Sequence, residues 1–257
     1  MLQVSHLPPL SGNKLRVFTG FRFTIRAMSR GVKVKRVLVA VIAMSLVISP
    51  SAFAEDSPKT SVERCKEVKA KPRNTTKLPT FRTSNLKSFS TMVITTNCGN
   101  IEIALASELA PVTVSRIAFL VRNKYFDNSL CHRLTTSGIY VLQCGDPTTT
   151  GKSMPPGWKG FQDENLPVDT GYNYPAGTVA MANRGPGTNG SQFFLVYKDS
   201  KLPPNYSVWG QIKTGLDLLI EIGEVGAYQI NKADKKAYYV GDGYSIQPVE
   251  IRRASVK

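Results

Sequence analysis

The strongest constraint on the fold is a series of short strand-like segments that begins near Thr91. Gly, Pro, Asn and Asp residues separate these segments, as is typical of strands and their turns. The predicted strands cover about residues 92–96, 101–105, 129–134, 139–143, 178–182, 191–197 and 207–213, and a last strand ends near residue 251. Helical spacing of apolar residues occurs only at about 111–123 and 215–222. Many short strands with two helices predict an antiparallel barrel or sandwich.

The first 54 residues have the pattern of a targeting segment. The apolar run VLVAVIAMSLVI at residues 37–48 follows three basic residues and precedes the small-residue site Ala52-Phe53-Ala54. This order predicts a secretory signal peptide. An uncleaved membrane anchor is the alternative, although a spanning helix needs roughly 20 apolar residues. The signal has ordinary proportions if synthesis begins at Met28 and not at Met1. We therefore expect an exported protein, extracellular or at the cell surface, either free or membrane-anchored.

The positive charge is concentrated before residue 91. The net charge is +15, but residues 1–54 hold eight Lys or Arg and no acidic residue, and residues 55–90 hold nine and four. Only +2 is left for residues 91–257, so we expect no nucleic-acid partner. Residues 55–88 are rich in Lys, Thr, Ser and Pro and predict a basic flexible linker. Association of residues 37–90 with a membrane or cell wall is one hypothesis, and a solvated linker without a partner is the simpler one.

Cysteine and histidine usage bears on disulfides and metals. An even number of cysteines outside the cytoplasm permits disulfides, and four cysteines allow three pairings. The four are Cys65, Cys98, Cys131 and Cys144, all beyond the proposed cleavage site. The sequence has no C-x-x-C motif and only two histidines, His6 and His132. We therefore expect no metal site.

Three strand segments place polar side chains beside apolar ones. In residues 191–197, period-two geometry puts Gln192 and Phe194 on one face and leaves an apolar or aromatic face opposite. In residues 139–143, Val141 and Gln143 share a face, and Arg133 lies on a third short strand. An amide beside a phenyl ring suits a partly exposed groove that accepts an apolar group and hydrogen-bonds a peptide backbone. From these segments alone, a core position for Phe194 and a solvated position for Arg133 are the alternatives.

Several motifs occur together in one order along the chain. They are His132-Arg133, Gln143-x-Gly145-Asp146, Phe161-x-Asp163-Glu164-Asn165, Ala180-Met-Ala-Asn183, and a loop that ends in TNGSQFF at residues 188–194. In this order the chain resembles the cyclophilin-type peptidyl-prolyl isomerases over about residues 91–253. The resemblance implies a mostly β domain at residues 89–257, a closed eight-stranded antiparallel β-barrel capped by two α-helices. It also implies a monomer that acts on proline-containing polypeptides without a cofactor.

The resemblance implies roles for individual residues. Arg133 matches the family's catalytic arginine, which would donate to the proline nitrogen at mid-rotation. The matched substrate-binding residues are Tyr140, Val141, Gln143, Ala182, Asn183, Gln192, Phe194, Leu202 and Tyr206. Ile139 is a rival to Tyr140, because a two-residue insertion before Gln143 blurs the alignment.

Within this set the expected contacts differ. Phe194 and Leu202 should line the proline pocket, and Gln143 should bind the substrate backbone or orient the arginine. The Asn183 backbone should pair with the residue before proline. Lys201 stands where many family members carry a tryptophan that contacts cyclosporin, so we expect weak cyclosporin binding.

Two questions stay open at this stage. Cys131 and Cys144 flank the expected site and could form a disulfide or stay as thiols, and Cys98 is a candidate partner for Cys65. The leading function is an isomerase that assists protein folding outside the cytoplasmic membrane. The alternative is a proline-peptide binding or scaffolding module with little turnover.

Overall fold

The computed structural model of the chain describes residues 60–75, 77–82 and 86–257. The predicted signal peptide or anchor at 1–54 lies outside these ranges. Within them, no helix combines the length and hydrophobicity needed to cross a membrane.

Twelve strands and two helices make up the described domain. In chain order they are β1 Thr91–Thr96, β2 Asn100–Leu105, α1 Pro111–Arg122, β3 Ser129–Leu130, β4 Arg133–Ser137, β5 Ile139–Cys144, β6 Thr178–Met181, β7 Phe193–Val196, β8 Val208–Thr214, α2 Leu216–Val225, β9 Ala227–Ile230, β10 Ala237–Val240, β11 Asp242–Ser245 and β12 Glu250–Val256. A mostly β domain with two helices is therefore confirmed.

The predicted closed eight-stranded barrel is wrong. The twelve strands form one open sheet in the order β10-β9-β11-β4-β5-β7-β6-β8-β2-β1-β12-β3. Closure requires the two end strands to pair with each other, whereas β10 pairs with β9 and β3 pairs with β12 in the described sheet. Residues 227–245 supply three of the extra strands. Their four-residue length and largely exposed side chains gave no core-facing pattern to recognise.

Helix α1 covers the sheet through a stripe at helical spacing. Val114, Ile117, Leu120 and Val121 are buried, as the periodicity predicts. Pro111 occupies the first turn, where a missing N–H breaks no helical bond. The carboxylate of Glu164 accepts hydrogen bonds from the N–H groups of residues 112 and 113, at 3.2 and 2.7 Å. These bonds satisfy two of the free donors at the helix start.

Alternation along the strands divides the apolar residues between two clusters. In β7, Phe193 and Leu195 belong to the main core beneath the helices, as predicted. Phe194 and Val196 face the other side and join a smaller cluster that also contains Val141. This second cluster forms an apolar patch on the outer face of the sheet.

Residues from the predicted linker contact the domain. Val62 is buried, and Cys65 forms a disulfide with Cys98 in the β1–β2 turn. The guanidinium of Arg64 donates to Glu221 and Asp217 on α2, at 3.0 Å from Nε and 2.9 Å from Nη2. These contacts tie the start of the described chain to the sheet domain.

The disulfide between Cys65 and Cys98 should contribute strongly to stability. It closes a loop with a sequence separation of 33 residues. Loop-closure entropy predicts that the Cys65→Ser/Cys98→Ser variant loses about 3 to 4 kcal/mol of unfolding free energy. Urea denaturation of the full chain measures the difference. An unchanged midpoint would show that the N-terminal segment adds no constraint.

Candidate functional site

A concavity on the outer face of the sheet collects most of the predicted site residues. Its volume is about 260 Å³. The lining residues are Arg133, Ile139, Val141, Gln143, Ala182, Asn183, Phe194, Leu202 and Tyr206. A larger concavity of about 530 Å³ lies between residues 88–90, 105–109 and Lys257. It holds none of the predicted residues, and its size alone suggests no chemistry.

Antiparallel register places the key side chains in one row across the strands. Arg133 of β4 pairs with Gln143 of β5, which pairs with Phe194 of β7, which pairs with Ala180 of β6. Directly opposed residues on neighbouring strands project to the same face of a sheet. The row therefore runs from a cation through an amide to an aromatic ring. We call it the cross-strand row.

The apolar end of the concavity is packed and fixed. Phe194 lies edge-on to Tyr206, with ring centroids 5.6 Å apart. Behind them Tyr174 is fully buried, and its hydroxyl accepts from the N–H of Tyr206 at 3.0 Å and donates to its carbonyl at 3.1 Å. Burial raises the pKa of Tyr174 to about 12, so the hydroxyl keeps its proton. Asn173 exchanges two hydrogen bonds with the backbone of Leu202. The pocket wall is therefore preformed.

The polar end is organised around Arg133. Its Nε and Nη2 donate to the two carboxylate oxygens of Asp242, each at 2.8 Å, and its Nη1 donates to Gln143 Oε1 at 3.2 Å. The bonds to Asp242 raise the pKa of Arg133, although burial opposes them. The guanidinium is therefore charged at every working pH. A guanidinium has five N–H donors, so the three bonds found among the described residues leave two for a ligand.

An amide chain continues from this cation. Gln143 Nε2 donates to Gln192 Oε1 at 3.0 Å, and Gln192 Nε2 donates to the carbonyl of Ser153 at 3.0 Å. The chain fixes the Gln143 amide so that its oxygen faces Arg133. Gln192 therefore supports the row from behind and does not line the concavity.

At the opposite rim, side-chain bonds hold Asn183. Its Nδ2 donates to the carbonyl of Asn205 at 2.8 Å, and its Oδ1 accepts from the N–H of Gly185 at 3.2 Å. The neighbouring Ala182 is anchored to the sheet through its N–H, which donates to the carbonyl of Gln192. The backbone at the rim is thus set in place by both residues.

The structure brings eight of the ten predicted residues to the concavity; Tyr140 and Gln192 are the exceptions. Tyr140 points to the opposite face of β5, where it contacts Tyr197 at 5.9 Å between ring centroids and Lys198 at 4.7 Å. Ile139 lines the concavity in its place. Strand alternation explains this placement, because residue 139 must lie on the same face as Val141 and Gln143.

Sequence reasoning missed two residues beside the site. Tyr174 supports the pocket wall but lies in a loop without strand pattern. Asp242 holds the arginine from a position 109 residues further along the chain. A pairing at this separation leaves no mark in a single sequence.

A disulfide joins the strands next to the cross-strand row. Cys131 and Cys144 are bonded, with a sequence separation of 13 residues. Cys144 ends β5 immediately after Gln143, and Cys131 precedes Arg133 by two residues. Of the alternatives left open, both disulfides are present and no described cysteine is free. No group of three or more metal-ligating side chains occurs among the described residues.

Comparisons with known proteins identify the family. The model of the family "Cyclophilin type peptidyl-prolyl cis-trans isomerase/CLD" matches residues 91–253, which include every residue of the concavity. This chain belongs to the cyclophilin family. The resemblance seen in the sequence is confirmed.

Relatives in bacteria and eukaryotes agree with this membership. "Probable peptidyl-prolyl cis-trans isomerase B" of Mycobacterium tuberculosis is 46% identical over 145 residues, which cover 51% of this chain and 46% of that protein. The protein of the same name from Mycobacterium leprae is 45% identical over 166 residues, 61% and 54% of the two chains. The chain thus spans about half the length of these cyclophilins. A Cryptosporidium parvum cyclophilin crystal structure superposes with a TM-score of 0.50 at 25% identity, covering 66% of this chain and 98% of that one.

The buried histidine beside the site, His132, should make the stability of the protein depend on pH. Burial lowers the pKa of His132, and the nearby Asp146 carboxylate only partly opposes this. Below about pH 6.5 the unfolded imidazole binds a proton, while the folded one stays neutral until its lower pKa is reached. Unfolding free energy should therefore fall between about pH 7 and pH 5, by at most about 1.4 kcal/mol per pH unit.

Denaturation of wild type and His132→Gln across this range tests the assignment. The variant should show a flatter pH dependence, whatever its absolute stability. His132 is the sole histidine in residues 60–257, so its NMR titration can be read directly. A titration midpoint at or above 6.5 would contradict the prediction.

Proposed function

We propose that this cyclophilin catalyses cis–trans rotation about X–Pro bonds in polypeptides. The observation that carries the proposal is the cross-strand row, in which a fixed, charged guanidinium stands beside an apolar pocket. A proline ring is apolar, and the peptide around it is polar, so a proline-containing segment matches both ends of the concavity.

The reaction needs a hydrogen-bond donor and contacts that fix the proline ring, but it needs no nucleophile. Rotation breaks amide resonance against a barrier of about 18–20 kcal/mol. In the twisted state the proline nitrogen regains its lone pair, and a donor aimed at that nitrogen stabilises this state over both planar states. Arg133 has the charge and the unused N–H groups for this role.

Magnitudes show that the arginine cannot act alone. A hydrogen bond to a charged group contributes about 1.5–3 kcal/mol, and each tenfold in rate needs about 1.4 kcal/mol. Arg133 thus accounts for about tenfold to a hundredfold. The remaining acceleration comes from fixing the ring while the preceding residue turns.

The other lining residues fix the proline ring and the peptide backbone beside it. Val141, Phe194 and Leu202 form the pocket for the ring, with Tyr206 packed against the phenyl group. The backbone of Asn183 at the rim pairs with the residue before proline, with Ala182 beside it, and Gln143 orients the arginine. Ile139 takes the role that the sequence assigned to Tyr140, because it faces the concavity.

We also propose that the protein works outside the cytoplasmic membrane on proline-containing polypeptides during their folding, as a monomer. The pairing of all four cysteines in disulfides supports this, because structural disulfides persist in oxidising compartments. The signal-like apolar run in the sequence supports it independently. Association of residues 37–90 with a membrane or cell wall is a further part of the hypothesis.

Removal of the guanidinium tests the proposed activity. Arg133→Ala in the full chain should lower kcat/KM on a proline peptide by about tenfold to a hundredfold, since the twisted state loses its donor. A protease-coupled assay or magnetisation-exchange NMR measures the rate. Arg64→Ala is the matched control, because Arg64 also bonds carboxylates on the domain but lies outside the concavity.

Three results would be informative. Loss in Arg133→Ala with an unchanged circular dichroism spectrum and an unaffected control supports catalysis by Arg133. If Arg133→Ala keeps the wild-type rate, as Arg64→Ala should, Arg133 is not the catalytic donor. A wild-type protein that binds the peptide without accelerating exchange would indicate the binding-module function.

Cyclosporin provides a separate test of the groove. Lys201 stands beside the pocket residue Leu202, where many cyclophilins carry a tryptophan, so contact with the inhibitor should be reduced. We expect inhibition only at micromolar concentrations or above, and a gain in affinity in Lys201→Trp. Nanomolar inhibition of the wild-type chain would contradict this expectation.

A further inference from the structure

Strand β11, which the sequence did not predict, brings a carboxylate to the arginine of the concavity. Asp242 is its first residue, and it pairs with Thr135 of β4, two residues beyond Arg133. We propose that Asp242 is a positioning residue, which orients the Arg133 guanidinium for the twisted X–Pro bond. This inference rests on the isomerase activity proposed above and deepens it.

The contact geometry restricts how the guanidinium can turn. Two parallel N–H···O bonds from Nε and Nη2 to one carboxylate fix both the plane and the direction of the group. Gln143 holds Nη1 on the other side. The arginine is therefore clamped between Asp242 and Gln143, with its remaining N–H groups available to a ligand. Without Asp242, Gln143 alone would hold one end of a long, flexible side chain.

The backbone on both sides of Asp242 is closely packed against neighbouring strands. Asp242 stands between two glycines that are packed too closely for a side chain. A Cβ at Gly241 would lie 2.7 Å from Ser137 Cβ, and one at Gly243 would lie 2.2 Å from the carbonyl oxygen of Tyr228. The Gly241 carbonyl accepts from the N–H of Thr136 at 2.8 Å. Gly241 thus lets the chain approach β4 just before Asp242, and Gly243 lets β11 pack closely against β9 just after it.

The solvent exposure of the Arg133–Asp242 ion pair distinguishes a positioning role from a structural one. The side chains of Arg133 and Asp242 are 38% and 55% exposed, and ion pairs at this exposure contribute little to stability because water screens them. Removing the carboxylate should therefore leave the fold intact and change only how the guanidinium is held. An effect on rate without an effect on stability identifies positioning.

The test compares variants of the full chain by exchange rate, peptide affinity and thermal midpoint. Asp242→Ala should lower kcat/KM by about three- to tenfold, with unchanged peptide Kd and unfolding midpoint. Asp242→Asn retains an acceptor and should retain an intermediate rate. Asp217→Ala is the matched control, because Asp217 also bonds an arginine on the domain surface and lies outside the concavity. It should keep the wild-type rate.

A double variant shows whether Asp242 acts through Arg133. In an Arg133→Ala background, Asp242→Ala should cause no further loss of rate. In NMR spectra, the Arg133 Nε–H signal should shift and exchange faster with solvent in Asp242→Ala, while the Arg64 signal stays in place. If Asp242 were merely structural, the double variant would lose further rate relative to Arg133→Ala.

The failure of this inference is distinguishable from failure of the proposed function. If the wild type accelerates exchange and Asp242→Ala does so equally well, positioning by Asp242 is overturned while catalysis stands. A higher rate in the variant likewise overturns it, since the carboxylate would then damp the charge. If the wild type shows no acceleration, the proposed function and this inference both fail.

Discussion

One antiparallel register holds Arg133, Gln143 and Phe194 side by side, and the site depends on it. Strands β4 and β5 follow each other directly in the chain and β7 comes much later, but the three strands are adjacent in the sheet. Because the side-chain period of a strand is two, a slip of one residue in β5 would turn Gln143 into the core and bring Leu142 out to the concavity. The core packing of Leu134, Leu142 and Phe193 therefore fixes the outer face as firmly as the inner one. Stability and site geometry share the same hydrogen-bond ladder.

Rigidity at the site comes from different sources at its two ends. At the apolar end, buried tyrosine and asparagine side chains satisfy the backbone of the loop at residues 202–206, so the pocket exists before any ligand arrives. At the polar end, a line of hydrogen bonds runs from Asp242 through Arg133, Gln143 and Gln192 to a backbone carbonyl. A preformed site loses less entropy when it binds a flexible peptide. The whole concavity is thus suited to hold one ring while the adjoining chain moves.

The sequence predicted the elements better than their assembly. Alternation in residues 191–197 correctly separated Phe193 from Phe194, and helical spacing located α1, because both depend on local periods. The same rule favours Ile139 over Tyr140, whereas the family match left the two as rivals because a two-residue insertion blurs the alignment there. Closure of the sheet was predicted wrongly, since pairing between the first and last strands is a long-range property. The strands within residues 227–245 were missed because most of their side chains face solvent and show no core-facing pattern.

The missed segment matters for how the arginine could work. A carboxylate that bonds Arg133 partly neutralises the positive field at the concavity, which would weaken a purely electrostatic role. The lone pair of a twisted imide nitrogen, however, presents a narrow target, and a hydrogen bond to it weakens steeply as the angle departs from linear. A guanidinium that is held in a fixed direction by a carboxylate can then stabilise the twisted state better than an unpaired guanidinium that samples many rotamers. On this argument, Asp242 weakens the electrostatic field of Arg133 but fixes the direction of its N–H groups, and the close packing of Gly241 against β4 helps to bring the carboxylate within reach.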